Sequence, residues 1–302
     1  MIVTVTMNPA VDKTVEIDTF QYRGLNRARR TELDAGGKGI NVSKTICELG
    51  GQSVATGFLG GHNGQFIERA LEQYGITTDF VWVPGETRTN TKIVEKDGTL
   101  TELNEPGFLV STENIAALKK KLIDYANEET MFVFAGSIPR GVSKDIYKEL
   151  ICAVKGKGAY VLLDADGEVL RNALEAKPNV VKPNKMELIG LLGLKENADI
   201  EELVSGAKSI QKKGIENVVV SLGKEGAIFL MGNDSIVCDS LPVKVSSCVG
   251  AGDAMVAAFA YAWEKGLEQE ETIRLCMATS AGAVTTNGTK PPSKEVVQEL
   301  MR

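Results

Sequence analysis

The sequence of 302 residues predicts an α/β fold, in which a mainly parallel sheet is packed between helices. Two observations predict this class. Short apolar runs that are typical of strands alternate along the chain with segments of helical periodicity. The apolar runs are also nearly continuous, which is typical of strands that are buried on both faces of a parallel sheet.

The alternation defines the predicted elements in order. The predicted strands are Ile2–Met7, Val54–Leu59, Met131–Ala135, Tyr160–Asp164, Asn179–Lys182 and Val218–Ser221. The predicted helices are Gly39–Leu49, Gln65–Tyr74, Thr112–Ala126, Lys144–Lys155, Glu187–Leu192 and Ile200–Lys213. Each helix is bounded by an apolar run, as expected for strands joined by helical crossovers.

Two further segments, Thr14–Leu33 and Thr89–Leu103, interrupt this pattern because polar and apolar residues alternate in them. Such alternation predicts strands with one exposed face. We expect the two segments to pair into a small separate sheet, at about residues 12–34 and 88–105, that covers the carboxyl ends of the main strands as a lid. The alternative is an antiparallel extension at the edge of the main sheet. Residues 1–302 are otherwise expected to form a single domain.

Composition and charge exclude several classes of partner. The chain has 40 acidic and 34 basic residues, a formal net charge of −6 and a pI of about 5.2. No bulk field therefore attracts nucleic acid or an anionic membrane, and an anionic ligand must be held by local cations. The five scattered cysteines form no CxxC pair, and the N-terminal segment lacks the features of a signal peptide. These features predict a cytoplasmic protein with reduced thiols.

Several common catalytic motifs are absent from the sequence. His62 is the only histidine, which excludes an HExxH zinc site and any cluster of histidine ligands. The sequence contains no GxxxxGK[ST] phosphate loop, no GxGxxG dinucleotide fingerprint and no GxSxG nucleophile elbow. Any phosphate chemistry must therefore use another arrangement.

One such arrangement lies in Gly250-Ala251-Gly252-Asp253, which precedes a run of small residues with helical character. Glycines allow a ligand to approach the backbone closely, and the first amides of a helix have no intrahelical acceptor. This segment therefore predicts an anion hole. Asp253 is interpreted either as a carboxylate that stabilises the helix start or as a general base that removes a proton from an attacking hydroxyl.

A second glycine-rich segment, Gly36-Gly37-Lys38-Gly39-Ile40-Asn41, opens the first predicted helix. An ammonium and an amide beside glycines suit a sugar phosphate, since the ammonium binds charge and the amide binds hydroxyls. The same pattern also fits an ordinary tight turn. Asp12 follows the first strand and is interpreted as a turn residue or as part of the same site.

Two later segments combine polar side chains with turns. Asn184 and Glu187 stand three residues apart at a predicted helix start, where they form a capping box or orient water around a magnesium ion. The segment from Ser221 to Gly226 is, by itself, a glycine-containing hairpin.

Taken together, these segments resemble both signatures of the ribokinase-like carbohydrate kinases, the PfkB family. The first signature resembles Gly36–Ser43 and the second resembles Cys248–Ala257, and the resemblance covers essentially the whole chain. Cys248 and Met255 occupy positions where other small or hydroxyl residues are common, and they are expected to affect packing more than chemistry. The resemblance implies a ribokinase-like three-layer sandwich with a small β-sheet lid, and a homodimer formed through that lid.

The resemblance also implies roles for individual residues. Asp253 is expected to be the catalytic base, with Gly250, Ala251 and Gly252 as the anion hole. The expected ATP-binding residues are Lys182, Asn184, Ser221, Gly223, Lys224, Glu225 and Gly226. Asn184 and Glu187 are expected to hold Mg²⁺ through water. The expected substrate-binding residues are Asp12, Arg27, Gly37, Lys38, Asn41, Arg88, Asn90 and Ser137.

Within the family, the N-terminal segment and the surroundings of Arg27, Arg88 and Ser137 resemble the branch that phosphorylates sugar phosphates. Arg27, Lys38 and Arg88 would supply the cations that such a substrate needs; alternatively, the two arginines are solvated charges of the lid. The resulting hypothesis is the ATP-dependent conversion of fructose 1-phosphate to fructose 1,6-bisphosphate. Tagatose 6-phosphate as substrate is the alternative, followed by fructose 6-phosphate or a non-catalytic sugar-phosphate sensor.

Overall fold

The computed structural model describes residues 1–247, 249–286 and 288–302, so Cys248 of the second signature lies outside the described residues. The strands are β1 (Ile2–Thr6), β2 (Ala10–Ile17), β3 (Arg30–Gly36), β4 (Ser53–Leu59), β5 (Thr77–Thr78), β6 (Val81–Trp82), β7 (Arg88–Glu95), β8 (Leu100–Asn104), β9 (Met131–Ala135), β10 (Tyr160–Asp164), β11 (Val180–Val181), β12 (Asn217–Ser221), β13 (Ala227–Met231) and β14 (Asp234–Cys238). The helices are α1 (Lys38–Glu48), α2 (Gly61–Gln73), α3 (Thr112–Tyr125), α4 (Ile146–Lys155), α5 (Gly167–Ala173), α6 (Lys185–Leu192), α7 (Ile200–Gln211), α8 (Ala251–Lys265), α9 (Gln269–Ala283) and α10 (Lys294–Leu300).

The main sheet has the strand order β14-β13-β12-β11-β10-β9-β1-β4-β5, and β6 also pairs with β4. The pairs from β12 to β4 are parallel, whereas β12-β13 and β13-β14 are antiparallel. The mainly parallel sheet predicted from the sequence is therefore confirmed. The strand predicted at Asn179–Lys182 is shorter in the structure, where β11 comprises Val180–Val181 and the amide of Lys182 still donates to the Leu163 carbonyl of β10.

Each face of the main sheet is covered by helices. Alternate residues of β1 and β9 belong to two different hydrophobic clusters, as expected when successive side chains point to opposite faces. One cluster includes residues of α3, α4, α6 and α7, and the other includes residues of α1, α8 and α9. Three layers result, in agreement with the predicted sandwich.

The predicted lid strands form a second sheet in the order β3-β2-β7-β8, which we call the small sheet. In this sheet β2 pairs antiparallel with β3 and parallel with β7, and β7 pairs antiparallel with β8. The interpretation of these segments as an edge extension of the main sheet is therefore wrong. Within the described ranges, no helix is long and apolar enough to cross a membrane.

Candidate functional site

A cleft of about 1210 Å³ lies between the small sheet and the carboxyl ends of the main strands. This is the edge at which open α/β sheets bind ligands. The cleft is lined by most of the residues singled out in the sequence: Asp12, Gly37, Lys38, Asn41, Arg88, Asn90, Ser137, Lys182, Asn184, Glu187, Ser221, Gly223, Lys224, Gly226, Gly250, Ala251, Gly252 and Asp253. Arg27 and Glu225 do not line it.

The start of α8 forms one end of the site. Gly250 is the N-cap residue and has a φ of +87°, a left-handed conformation that favours glycine. The next amides, including those of Ala251 and Gly252, lie in the first turn, where helix geometry provides no acceptor four residues earlier. A Cβ on Gly252 would lie 3.3 Å from the Lys182 ammonium. The amides and this cation together can bind an anion.

Asp253 lies in the first turn of α8 with only 8% of its surface exposed. Its Oδ2 accepts a hydrogen bond of 2.8 Å from Asn41 Nδ2. Burial, together with the nearby Asp164 carboxylate, raises the pKa of Asp253 to about 6, while Lys38, Asn41 and Lys182 oppose this rise. Asp253 is thus a carboxylate that can accept a proton at neutral pH.

Asp164 is a buried carboxylate that the sequence analysis did not single out. It ends β10, and its Oδ1 lies 3.2 Å from Lys38 Nζ and 3.4 Å from Lys182 Nζ. Burial alone would raise the pKa of Asp164, but the two ammonium groups outweigh it and hold the pKa below its usual value. The available signal was the position of this aspartate at the carboxyl end of a predicted buried strand.

The glycine-rich segment before α1 allows several groups to approach closely. A Cβ on Gly36 would lie 2.7 Å from the carboxyl carbon of Asp12, and one on Gly37 would lie 2.8 Å from the Thr6 side chain. Gly37 also has a φ of +116°. These glycines therefore let α1 begin directly against β1 and Asp12, which brings Lys38 and Asn41 into the cleft.

On the small sheet, Asp12 is surrounded by hydrogen-bond donors. Its Oδ2 lies 3.1 Å from Lys92 Nζ, and its Oδ1 accepts a hydrogen bond of 3.4 Å from Asn90 Nδ2. Lys92 is buried and was not singled out in the sequence. Lys92 lies in a strand of alternating polarity, and that pattern does not predict whether the polar face of the strand contacts solvent or a cleft.

The two arginines differ in their surroundings. Arg88 is partly buried and donates hydrogen bonds to the backbone carbonyls of Asn8, Pro9 and Glu105. It therefore ties the small sheet to the end of β1, and its interpretation as a solvated charge is wrong. Arg27 is exposed in the loop between β2 and β3, outside the cleft of its own chain.

The opposite end of the cleft is formed by the starts of α6 and β13. Asn184 and Glu187 form a capping box, with reciprocal hydrogen bonds of 2.8 Å, and both residues line the cleft. The segment after β12 is the predicted hairpin. Glu225 does not line the cleft, and its carboxylate pairs with Lys185 at 2.8 Å.

The buried polar atoms of the cleft are incompletely satisfied. Among the described residues, the buried side-chain atoms without a hydrogen-bond partner are Thr6 Oγ1, Asn8 Oδ1, Asn41 Oδ1, Asn90 Oδ1, Asp164 Oδ2 and Thr279 Oγ1. All of these residues except Thr279 line the cleft. Since buried polar atoms normally have partners, this concentration indicates a site built for a ligand with many hydroxyl donors.

Replacing Asp253 by Asn should stabilise the folded protein at neutral pH. The pKa of Asp253 is raised from 3.8 to about 6, so the charged carboxylate is disfavoured in the folded state by on the order of 3 kcal/mol. The advantage of Asp253→Asn should be complete above pH 6, shrink as the pH falls towards 4, and vanish below it. Denaturant unfolding at pH 7.5 and pH 5 measures this difference. The control Asp124→Asn, exposed on α3, should show no such trend, and an advantage of Asp253→Asn that grows on acidification would contradict the assignment.

Comparisons with known proteins agree with this geometry. Residues 5–296 match the family described as pfkB family carbohydrate kinase. The chain is 34% identical over 301 residues to 1-phosphofructokinase of Vibrio cholerae, covering 100% of this chain and 95% of that protein. It is 37% identical over 275 residues to tagatose-6-phosphate kinase of Staphylococcus epidermidis, covering 90% and 87%.

A solved structure gives the same result for the fold. Phosphofructokinase-2 from Escherichia coli, in complex with substrates and products, matches with a TM-score of 0.94 and 29% identity, covering 99% of this chain and 98% of that one. The family predicted from the two signatures is thus confirmed. This chain belongs to the pfkB family of carbohydrate kinases and is an enzyme that transfers a phosphoryl group to a hydroxyl group.

Proposed function

We propose that this protein catalyses the ATP-dependent phosphorylation of fructose 1-phosphate to fructose 1,6-bisphosphate. The observation that carries the proposal is Asp253, a buried carboxylate at the N-terminus of α8 that is hydrogen-bonded to Asn41 in a cleft rich in unsatisfied acceptors. A carboxylate beside a helix N-terminus combines a proton acceptor with an anion site. The similarity to 1-phosphofructokinase of Vibrio cholerae supports the choice of sugar.

In this mechanism Asp253 is the general base. As its carboxylate accepts the proton of the C6 hydroxyl, the hydroxyl oxygen attacks the γ-phosphorus of ATP. The bond from that phosphorus to the bridging oxygen breaks, and ADP leaves with the bond's electron pair. The first amides of α8 and the Lys182 ammonium stabilise the negative charge on the transferring group. Catalysis consists mainly of positioning and charge stabilisation.

The nucleotide occupies the end of the cleft formed by Asn184, Ser221, Gly223, Lys224 and Gly226. A magnesium ion suits this end, because magnesium keeps several waters and binds few protein groups directly. The described residues contain no cluster of three or more acidic, histidine or cysteine side chains that could hold a metal alone. Asn184 and Glu187 would hold the ion through water, and the ion would neutralise charge on the ATP phosphates.

The sugar occupies the other end. Asp12 and the unsatisfied acceptors of Asn41 and Asn90 bind its hydroxyls, because each needs a donor and a ketohexose presents several. Gly37 leaves space for the ligand beside β1. Lys38, Arg88 and Ser137 also line this part of the cleft and contact the sugar phosphate. Arg27 does not line the cleft of its own chain, so it could bind the substrate only in the cleft of another subunit.

Tagatose 6-phosphate is the second candidate substrate, favoured by the similarity to tagatose-6-phosphate kinase of Staphylococcus epidermidis. The same base and anion hole serve either sugar. An enzyme that consumes ATP and a sugar phosphate is supplied with both in the cytoplasm, which we propose as its location.

A substrate panel tests the proposed function. With MgATP, kcat/KM for fructose 1-phosphate should exceed that for tagatose 6-phosphate, fructose 6-phosphate and free fructose by at least tenfold each, measured as ADP release. Preference for tagatose 6-phosphate would overturn the choice of sugar and keep the catalytic roles. Reaction of free fructose alone would overturn the assignment of a phosphate subsite, and no reaction would leave the sensor hypothesis.

The pH dependence of turnover tests the base. Because Asp253 must be deprotonated and its pKa is about 6, kcat/KM should be constant above pH 7 and fall about tenfold per pH unit well below 6. Asp253→Asn should lower kcat at least 100-fold, since general bases contribute that much, while calorimetry shows unchanged ATP binding.

The phosphate of the substrate also titrates near pH 6, so binding of fructose 1-phosphate to Asp253→Asn is measured over the same range. If the fall of kcat/KM below pH 6 matched the loss of substrate binding while kcat stayed constant, the role of Asp253 would be contradicted. Turnover of Asp253→Asn within threefold of the unmodified protein would do the same.

We further propose that the protein is a homodimer formed through the small sheet. Alternation places Lys13, Val15, Leu33, Ile93 and Leu103 on the face opposite the cleft. Leu33 and Leu103 are 51% and 60% exposed. Apolar side chains grouped on an open sheet face are typical of an interface with another protein.

Substituting this face should separate the subunits. Sedimentation velocity of the unmodified protein should give a mass of about twice 32.4 kDa, and Leu33→Glu should shift it towards the monomer because a carboxylate would be buried in the interface. The control Val237→Glu, on the exposed edge strand β14, should leave the dimer intact. A monomeric unmodified protein, or a dimer that tolerates Leu33→Glu, would rule out this interface.

A further inference from the structure

Lys92 is a buried cation within the candidate sugar end of the cleft. It lies on β7, retains 9% of its surface exposed and lines the cleft. Its Nζ lies 3.1 Å from Asp12 Oδ2, and Asn90 Nδ2 approaches the other oxygen of the same carboxylate. A lysine is rarely buried to this extent unless its charge has a function or a partner.

The register of the small sheet places Lys92 among acidic and amide side chains. Lys92 stands opposite Thr14 on β2 and Glu102 on β8, while Asn90 stands between Asp12 and Asn104. Apart from Thr14, these residues all line the cleft. The carboxylates would repel a phosphorylated substrate if no cation lay beside them.

The other cations of the cleft have partners outside the small sheet or lie at the nucleotide end, where Lys224 stands. Lys38 and Lys182 both pair with Asp164, and the guanidinium of Arg88 donates to three backbone carbonyls. Lys185 pairs with Glu225, beside the turn that we assign to the nucleotide. Lys92 lies on the small sheet itself, its hydrogen-bond partner among the described residues is Asp12, and its ammonium has three donors.

The substrate itself requires a cation at this end. In a ketohexose 1-phosphate or 6-phosphate, the reacting hydroxyl and the existing phosphate are on opposite terminal carbons. The reacting hydroxyl is held at Asp253, on the main sheet side, so the phosphate extends away from α8. Residues of the small sheet, Lys92 among them, line the same cleft and are available to this phosphate.

We propose that Lys92 determines specificity for a phosphorylated sugar by binding the existing phosphate group of the substrate, with Asp12 positioning its ammonium. This inference rests on the proposed function, because it names the group that recognises the substrate's phosphate. Lys92 keeps its contact to Asp12 and offers its remaining donors to the phosphate. Without the ammonium, the Asp12 and Glu102 carboxylates disfavour a dianion far more than a neutral sugar.

Comparing phosphorylated and free sugars tests this role. Lys92→Met should lower kcat/KM for fructose 1-phosphate at least 100-fold, mainly through KM, and should lower kcat/KM for free fructose by a factor at least tenfold smaller. Lys92→Arg should recover at least a tenth of the specificity. The control Lys96→Met, which removes an exposed lysine next to β7, should change neither ratio. Binding of a non-hydrolysable ATP analogue should be the same in all variants, which also verifies folding.

A second variant distinguishes loss of the charge from misfolding. Lys92→Gln keeps a hydrogen-bond donor for Asp12 without the charge, and it should lower kcat/KM for fructose 1-phosphate selectively, as Lys92→Met does. Equal losses for phosphorylated and free sugar would show that Lys92 acts only on Asp12 and would overturn the proposal, as would unchanged kinetics. If the unmodified protein prefers tagatose 6-phosphate, the choice of fructose 1-phosphate is wrong. The role of Lys92 is then tested by comparing kcat/KM for tagatose 6-phosphate with kcat/KM for free tagatose. If only free fructose reacts, both proposals fail.

Discussion

The buried carboxylate of Asp164 is the interaction on which the arrangement of the cleft depends. Its Oδ1 is shared by Lys38, from the start of α1, and Lys182, which follows β11. A buried carboxylate must be paired, and removing a partner from such a group costs several kcal/mol. The pairing therefore fixes three separate chain segments at one point. It also holds both ammonium groups close to Asp253 at the N-terminus of α8, where the transferring phosphoryl group would carry its charge in the proposed mechanism.

The same network sets the proton affinity of Asp253. Burial and Asp164 raise its pKa, whereas Lys38, Lys182 and the Asn41 amide lower it, and the balance is a value of about 6. A lower pKa would make the carboxylate a weaker base, and a higher one would leave it protonated at neutral pH. In the proposed mechanism the charges that bind the phosphates thus also adjust the base, so neither function could be changed without affecting the other.

The sequence predicted the parts of this arrangement that depend on local patterns. Buried parallel strands are continuous apolar runs, and the starts of α1 and α8 carry glycines whose conformations other residues rarely adopt, so the main sheet and these two helix starts were both predictable. Lys92 was not, since a charged residue in an alternating strand looks the same whether it faces solvent or a cleft. Asp164 was missed although it ends a predicted buried strand, because its pairing with Lys38 and Lys182 depends on the tertiary structure. The helix α9 was also missed, because its small residues, buried on several sides against α8, give little periodicity.

The position of Arg88 could not be predicted for a related reason. Its side chain binds carbonyls of Asn8, Pro9 and Glu105, which are brought together only when the small sheet docks at the end of β1. This contact gives the small sheet a defined attachment to the main sheet. The roles proposed for its two faces then follow from strand alternation, because neighbouring residues on one strand point in opposite directions. Leu103 faces away from the cleft while Asn104 lines it, so a partner that covers the first face would also restrain the strand that shapes the second. A dimer formed through the small sheet, as proposed, would therefore couple assembly to substrate binding through the backbone of that sheet.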